Sequence, residues 1–93
     1  MIKHFKHKGL KQFFMNDDKR LLRKPMLPRI SRILDRLDAS EAASDMDIPG
    51  WKLHPLKGER KGTWSVWVTG NWRITFKFDT ENHAIDVDLE DYH

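Results

Sequence analysis

Trp64-Ser65-Val66-Trp67-Val68-Thr69-Gly70-Asn71-Trp72-Arg73-Ile74-Thr75-Phe76-Lys77-Phe78 is the stretch that decides the fold. Trp64, Val66 and Val68 alternate with Ser65, Trp67 and Thr69. Beyond Gly70-Asn71, Trp72, Ile74, Phe76 and Phe78 alternate with Arg73, Thr75 and Lys77. A period of two marks a strand with one buried face, and a Gly-Asn pair between two such runs marks a hairpin. A loop of Gly70-Asn71 alone would pair Thr69 with Trp72 and leave the apolar faces in disagreement. Side-chain parity therefore predicts a three-residue loop, Thr69 to Asn71, that pairs Val68 with Trp72 and Val66 with Ile74, with Asn71 left-handed. A second turn, Asp79 to Asn82, leads into Ile85-Asp86-Val87-Asp88-Leu89. It pairs Phe76 with Ile85 and Ile74 with Val87, and sets Arg73 opposite Asp88 and Thr75 opposite Asp86. The sheet then has an apolar face (Val66, Val68, Ile74, Phe76, Ile85, Val87) to bury and a polar face carrying Ser65, Trp67, Arg73, Thr75, Lys77, Asp86 and Asp88.

The residues upstream supply what covers the apolar face. Ile2 and Phe5 read as a short edge strand. Lys8 to Met15 reads as a brief helix, with Leu10, Phe13 and Phe14 at the spacing of one buried side. Pro28 suits the first turn of a second helix, where its missing N–H is not needed. Leu27, Ile30, Ile33, Leu34 and Leu37 make the apolar stripe of that helix, which should fade through Ala42 to Ser44. Arg29, Arg32 and Arg36 fall on another side of it. Asp47-Ile48-Pro49-Gly50 is a turn, and Trp51 to Leu56 is extended because His54 precedes a proline. Lys57-Gly58-Glu59-Arg60-Lys61-Gly62 is a cationic loop with a glycine near each end, a form that can bring donors close to phosphate.

Composition bounds the rest. With 93 residues there is room for one domain, 1–93, of the α+β class: two N-terminal helices on a curved, mainly antiparallel sheet. There are no cysteines, so neither disulfides nor a thiolate metal site is available. No apolar run approaches the roughly 20 residues of a spanning helix, and no signal-peptide pattern opens the chain; a cytoplasmic protein without membrane contact is expected. Lys and Arg number 17 against 14 Asp and Glu, a net charge of +3. Residues 3–36 hold most of the positive charge and 79–91 are mostly acidic. A basic body favours an anionic partner, nucleic acid before membrane.

The chemistry-bearing residues gather late in the chain. The final strand runs into Asp91-Tyr92-His93, an acid, a phenol and an imidazole held next to regular structure. Five histidines are present, but none stands in a paired-ligand motif, so no metal and no cofactor is expected. A metal-free phosphodiester cleavage site suits the inventory better. RNA carries its own nucleophile, the 2′-hydroxyl; an enzyme adds a base, an acid and fixed cations around the phosphorus. His54, Asp91 and His93 can move protons, Lys57, Arg60 and Arg73 can supply charge, and Tyr92 can stack or donate a hydrogen bond. Each also has a structural explanation: His54 as a loop cap, Arg73 as a balance for Asp88, and the tail as a solvated end.

Four blocks carry a family resemblance: Ile2-Lys3-His4-Phe5-Lys6-His7-Lys8-Gly9-Leu10-Lys11; Lys52-Leu53-His54-Pro55-Leu56-Lys57-Gly58 followed by Arg60; Asn71-Trp72-Arg73-Ile74-Thr75-Phe76; and Glu90-Asp91-Tyr92-His93. In order and spacing the chain resembles the HigB-type toxins of the RelE superfamily. The stretch from about Asn16 to Ile48 is less diagnostic. The resemblance implies a microbial ribonuclease-like α+β fold and a ribosome-dependent endoribonuclease that cuts messenger RNA in the A site of the small subunit. It implies a HigA-type helix-turn-helix antitoxin, with operator DNA met only through that antitoxin. It carries over His54, Asp91, Tyr92 and His93 as catalytic positions and Lys57, Arg60 and Arg73 as phosphate-binding ones. The alternative is a noncatalytic module that binds RNA, the ribosome or the antitoxin, for which the Arg29-Arg32-Arg36 stripe would suffice.

Overall fold

The computed structural model describes residues 1–91. Helix α1 spans Lys8–Asn16 and helix α2 Leu27–Ala39. Strands β1 (His54–Pro55), β2 (Trp64–Thr69), β3 (Trp72–Phe78) and β4 (Ala84–Asp91) form one sheet in the order β1-β2-β3-β4, each pair antiparallel. This is the expected α+β architecture, with N-terminal helices on an antiparallel sheet. None of the helices described is long and apolar enough to cross a membrane.

Leu10 of α1 and Ile30, Ile33, Leu34 and Leu37 of α2 pack against Val66, Val68, Ile74, Phe76, Val87 and Leu89 of the sheet, all buried. The apolar spacing read from the sequence is the face each helix turns inward. His7 caps α1 by accepting from the Leu10 N–H at 3.2 Å, and Asp17, left-handed at φ 53°, closes it. Pro28 sits in the first turn of α2 as expected. The helix stops at Ala39, earlier than the fade expected through Ser44. The Ser40 hydroxyl donates to the Arg36 carbonyl at 2.7 Å, and the Asp45 carboxylate accepts from the Glu41 and Ala42 N–H groups at 3.0 and 3.2 Å. Short polar side chains that bond the local backbone compete with helix in this way. The chain instead makes a 3₁₀ turn, Ala43–Met46, that plugs Met46 into the core.

Two bulges correct the expected register. In the first hairpin Val66 does face Ile74 and Trp67 faces Arg73, but Thr69, not Val68, pairs with Trp72, with an irregularity between Trp67 and Thr69. The loop is Gly70-Asn71 after all, and Gly70 rather than Asn71 is left-handed, at φ 55°. The extra residue keeps Val68 buried while allowing the two-residue turn. In the second hairpin Lys77 pairs with Ile85, Thr75 with Asp88, Ile74 with Leu89 and Arg73 with Glu90. Asp86, at φ 52°, marks the bulge opposite Phe76. Side-chain alternation reverses there: Ala84 is buried before it, and Val87 and Leu89 after it. Ile85 therefore lies opposite Lys77 rather than on the core face.

The first residues run parallel to β4. Bridges join Ile2 to Ala84 and Phe5 to Val87. Lys3 N–H donates to the Ala84 carbonyl and Lys6 N–H to the Val87 carbonyl, both at 2.8 Å. His4 Nδ1 lies 3.0 Å from Asp86 Oδ1, beside the bulge. β4 is thus bonded on both edges.

Phe76 is fully buried and meets Phe78 edge-on at 5.8 Å. Phe76→Ala should cost about 3–5 kcal/mol, the range for emptying a buried aromatic site. A urea midpoint unchanged from wild type would contradict this packing.

Candidate functional site

The site is built on the sheet face turned away from the helices. His54, Ser65, Thr75 and Asp88 are successive partners across the four strands. One step along on the same face, Trp67, Arg73 and Glu90 form a second row. Two residues along a strand return to the same face, so both rows project together.

β1 is an edge strand of two residues, and its sequence explains it. Proline disfavours helix in the residue before it and lacks an N–H to donate, which suits a sheet edge. His54 Nδ1 lies 3.3 Å from the Lys52 carbonyl. A carbonyl only accepts, so Nδ1 is the donor in this contact and Nε2 is the ring nitrogen it leaves unengaged. The ring is half-buried and borders a cleft of about 340 Å³ lined by His54, Pro55, Leu56, Lys57 and Arg60.

The loop after β1 carries the charge. Gly58 and Gly62 take positive φ (69° and 96°), and a 3₁₀ turn spans Gly58–Arg60. Thr63 N–H returns to the Arg60 carbonyl at 2.9 Å and Leu56 N–H to the Thr63 carbonyl at 2.8 Å, so the loop is tied at its base. Arg60 then reaches across to β4. Its two terminal nitrogens donate to the two oxygens of Glu90, one at 2.8 Å, and the Thr75 hydroxyl donates to the same carboxylate. Bidentate guanidinium–carboxylate pairing fixes direction as well as distance. The Arg60 bonds are the main reason the Glu90 carboxyl titrates below its ordinary value; partial burial opposes them and Thr75 adds to them. Arg60 also borders a second cleft of about 210 Å³, lined with Lys6, Glu59, Thr63, Thr75, Lys77 and Asp86.

Of the residues singled out from sequence, His54, Lys57 and Arg60 share one cleft, and Arg73 lies in the adjoining row opposite Glu90. Asp91 ends β4 opposite Trp72. Alternation sets it in the row of Leu89, not that of Glu90, and it is exposed. Tyr92 and His93 lie outside the described residues. Among those described, no group of three or more His, Asp or Glu is placed to hold a metal ion.

Glu90 and Thr75 are the partners that sequence reasoning missed. Side-chain parity sets Thr75 opposite Asp86, and the sequence marks Glu90 only as part of the last block of the family resemblance. The arginine stripe of α2 is largely committed inside the molecule. Arg29 Nε donates to the Val68 carbonyl at 3.3 Å and Arg36 Nε to the Asp45 carbonyl at 2.8 Å, which leaves Arg32 as the exposed member without such a contact. The stripe is therefore not one uniform solvated face, since Arg29 and Arg36 are each tied by Nε to a backbone carbonyl.

A family model described as the RelE-like toxin of the type II toxin–antitoxin system HigB matches residues 3–93. Over 96 aligned residues the chain is 45% identical to the endoribonuclease HigB of Proteus vulgaris, covering 100% of both chains. It is 36% identical over 80 residues to the toxin HigB-1 of Vibrio cholerae serotype O1, covering 84% of each.

Glu90 has its folded pKa below the ordinary 4.5. The stabilisation it draws from Arg60 and Thr75 is complete above about pH 4.5 and is lost as the pH falls through the lowered value. Glu90→Gln removes the charge and keeps the size. Its stability deficit against wild type should be constant from pH 7 to 5 and shrink at lower pH. A deficit that stays the same down to pH 2.5 in urea titrations would mean the carboxylate's charge is not what stabilises.

Proposed function

The chain belongs to the HigB-like toxins of the RelE superfamily, the toxin components of type II toxin–antitoxin systems, and from this we propose that it is a ribosome-dependent endoribonuclease that cleaves messenger RNA in the A site without a metal. The observation that carries the reading is the placement of a half-buried imidazole with an unengaged Nε2 in one cleft with Lys57 and a guanidinium locked in direction by Glu90 and Thr75.

In the proposed reaction a base takes the proton of the 2′-hydroxyl. The 2′-oxygen attacks the adjacent phosphorus, and the bond from phosphorus to the 5′-oxygen breaks. An acid protonates that leaving oxygen, and a 2′,3′-cyclic phosphate remains on the upstream fragment. His54 fills one of the two proton-transfer roles, and the other is carried over from the family resemblance to the tail Asp91, Tyr92 and His93, of which Asp91 lies in the row of Leu89 rather than in that of Arg73 and Glu90. Lys57, Arg60 and Arg73 face the charge that builds on the phosphoryl oxygens. Cations aimed in advance stabilise the transition state without reorganising at the moment of reaction. Glu90 and Thr75 act through Arg60 as positioning residues.

The mild net charge fits dependence on the ribosome. Affinity for phosphate backbone scales with the number of phosphates neutralised, and this surface spends one of its cations on Glu90. Placement of the message is therefore the ribosome's task. The antitoxin is of the HigA type, with a helix-turn-helix domain that brings the complex to its own operator.

Primer extension on a translated message tests the reading. Wild type should cut within codons and arrest growth. His54→Ala, Arg73→Ala and deletion of residues 91–93 should each lower cleavage by about 10²–10⁴, the range of acid–base and oxyanion contributions, with thermal midpoints showing the proteins folded. Full toxicity after the deletion, or intact message beneath stalled ribosomes, would sink it.

A further inference from the structure

Beside the proposed cleavage site lies a cluster that the mechanism above does not use. Trp67 occupies the same row as Arg73 and Glu90. The Arg29 guanidinium carbon lies 5.0 Å from its ring centroid and Lys52 Nζ 4.9 Å from it. Taken end to end, those distances hold the two charges no farther apart than about 10 Å, the screening length at 0.1 M salt. Two cations thus share one ring, and among the described residues neither is in an ion pair. Arg60 and Arg20, by contrast, each grip a carboxylate.

The backbone goes out of its way to make the cluster. Lys52 is left-handed, at φ 52°, a conformation that disfavours a side chain and that tends to persist where the surroundings hold it in place. The same residue's carbonyl meets His54 Nδ1. Arg29 is anchored through Nε to the Val68 carbonyl, which leaves its two terminal nitrogens to a ligand. Trp67 is fixed by its own indole N–H on the Gly70 carbonyl at 2.9 Å. With cations already against its ring, Trp67 is a poor platform for a stacked base. It is a good anvil for two positive charges.

We propose that Arg29 and Lys52, held against Trp67, form a second phosphate subsite that receives a backbone phosphate of the messenger RNA flanking the cleaved one. The proposal rests on the RNA-cleaving reading of the adjoining face. Continuity favours the message over ribosomal RNA: Trp67 is the cross-strand partner of Arg73, and Lys52 both supplies a charge and holds the His54 ring. A strand of RNA leaving the His54 cleft along this face meets the pair next.

The probe is a single-stranded RNA hexamer with 2′-O-methyl groups throughout. It cannot be cleaved, so its binding is independent of activity. In nuclear magnetic resonance titrations at low salt, the Trp67 indole N–H signal should move with the hexamer. Arg29→Gln and Lys52→Gln should each weaken binding about fivefold. The double variant, Arg29→Gln with Lys52→Gln, should lower the slope of log affinity against log salt by about 0.7, one phosphate's worth for a single strand, and each single variant by part of that. Arg29→Lys keeps the charge and should keep the slope, which separates lost charge from lost packing. Thermal midpoints certify each variant as folded. An unmoved Trp67 signal with unchanged slopes overturns the subsite, whether or not the protein cuts message on ribosomes. A second arm measures binding to vacant ribosomes carrying no message. Unchanged affinity there supports the assignment, and an equal loss there gives the pair to ribosomal RNA and overturns it. If the wild type fails to cleave programmed ribosomes while the hexamer results hold, the reaction is wrong and the RNA subsite stands.

Discussion

One extra residue in β4 governs everything on the outer face of the sheet. A strand alternates its side chains strictly, so an insertion of one reverses every position beyond it. At Asp86 the backbone takes φ 52°, and the reversal lets Val87 and Leu89 enter the core while Asp88 and Glu90 turn outward. Without it, Ala84 and Val87 could not both be buried, and Glu90 could not lie opposite Arg73. The Arg60 pairing would have no carboxylate to grip. Lys3, Lys6 and His4 bracket the bulge from the other side, so the irregularity is supported by hydrogen bonds at either end.

The outer face gathers charge economically. Arg60 comes from a loop tied by its own backbone bonds, Glu90 from β4 and Thr75 from β3, three elements converging on one carboxylate. Each component alone is ordinary for a surface. Together they convert a flexible side chain into a fixed one beside His54. Surface ion pairs contribute little to stability when exposed. With Arg60 less than half exposed and Glu90 about a quarter exposed, the larger consequence of this pair is direction.

The hairpin stretch made the architecture legible because period-two alternation survives any reasonable error in loop length. The helices were legible from their stripes, and β1 from the proline after His54. Registers were not. Parity reasoning rejected a Gly70-Asn71 loop because it assumed unbroken alternation, and the bulge at Val68 removes that assumption. In β4 a turn one residue longer than expected and a one-residue bulge together moved Thr75 and Arg73 two positions along and so hid Glu90. A bulge is decided by how two faces pack across a whole sheet, which local periodicity does not report. The Arg60–Glu90 pair was hidden for a related reason: 30 positions separate its members, and no spacing rule spans a loop and two strands. Among the site residues, His54, Lys57 and Arg60 could be placed together because they lie within one short segment. The approach of Arg29 to Trp67 was invisible, since a stripe of arginines on a helix reads as solvated until its neighbours are known.

The pairing of the first residues with β4 sets an order on assembly. Asp86 N–H and His4 Nδ1 meet across a separation of 82 positions. A ribosome adding about 5–20 residues per second makes the N-terminal segment roughly 4–16 s before its partner strand exists. During that interval α1 and α2 have only part of a sheet to cover, and the carboxylate that aims Arg60 has not been translated. The face bearing His54 and Arg73 therefore completes only once β4 clears the exit tunnel, and the last strand made is the one that fixes its geometry.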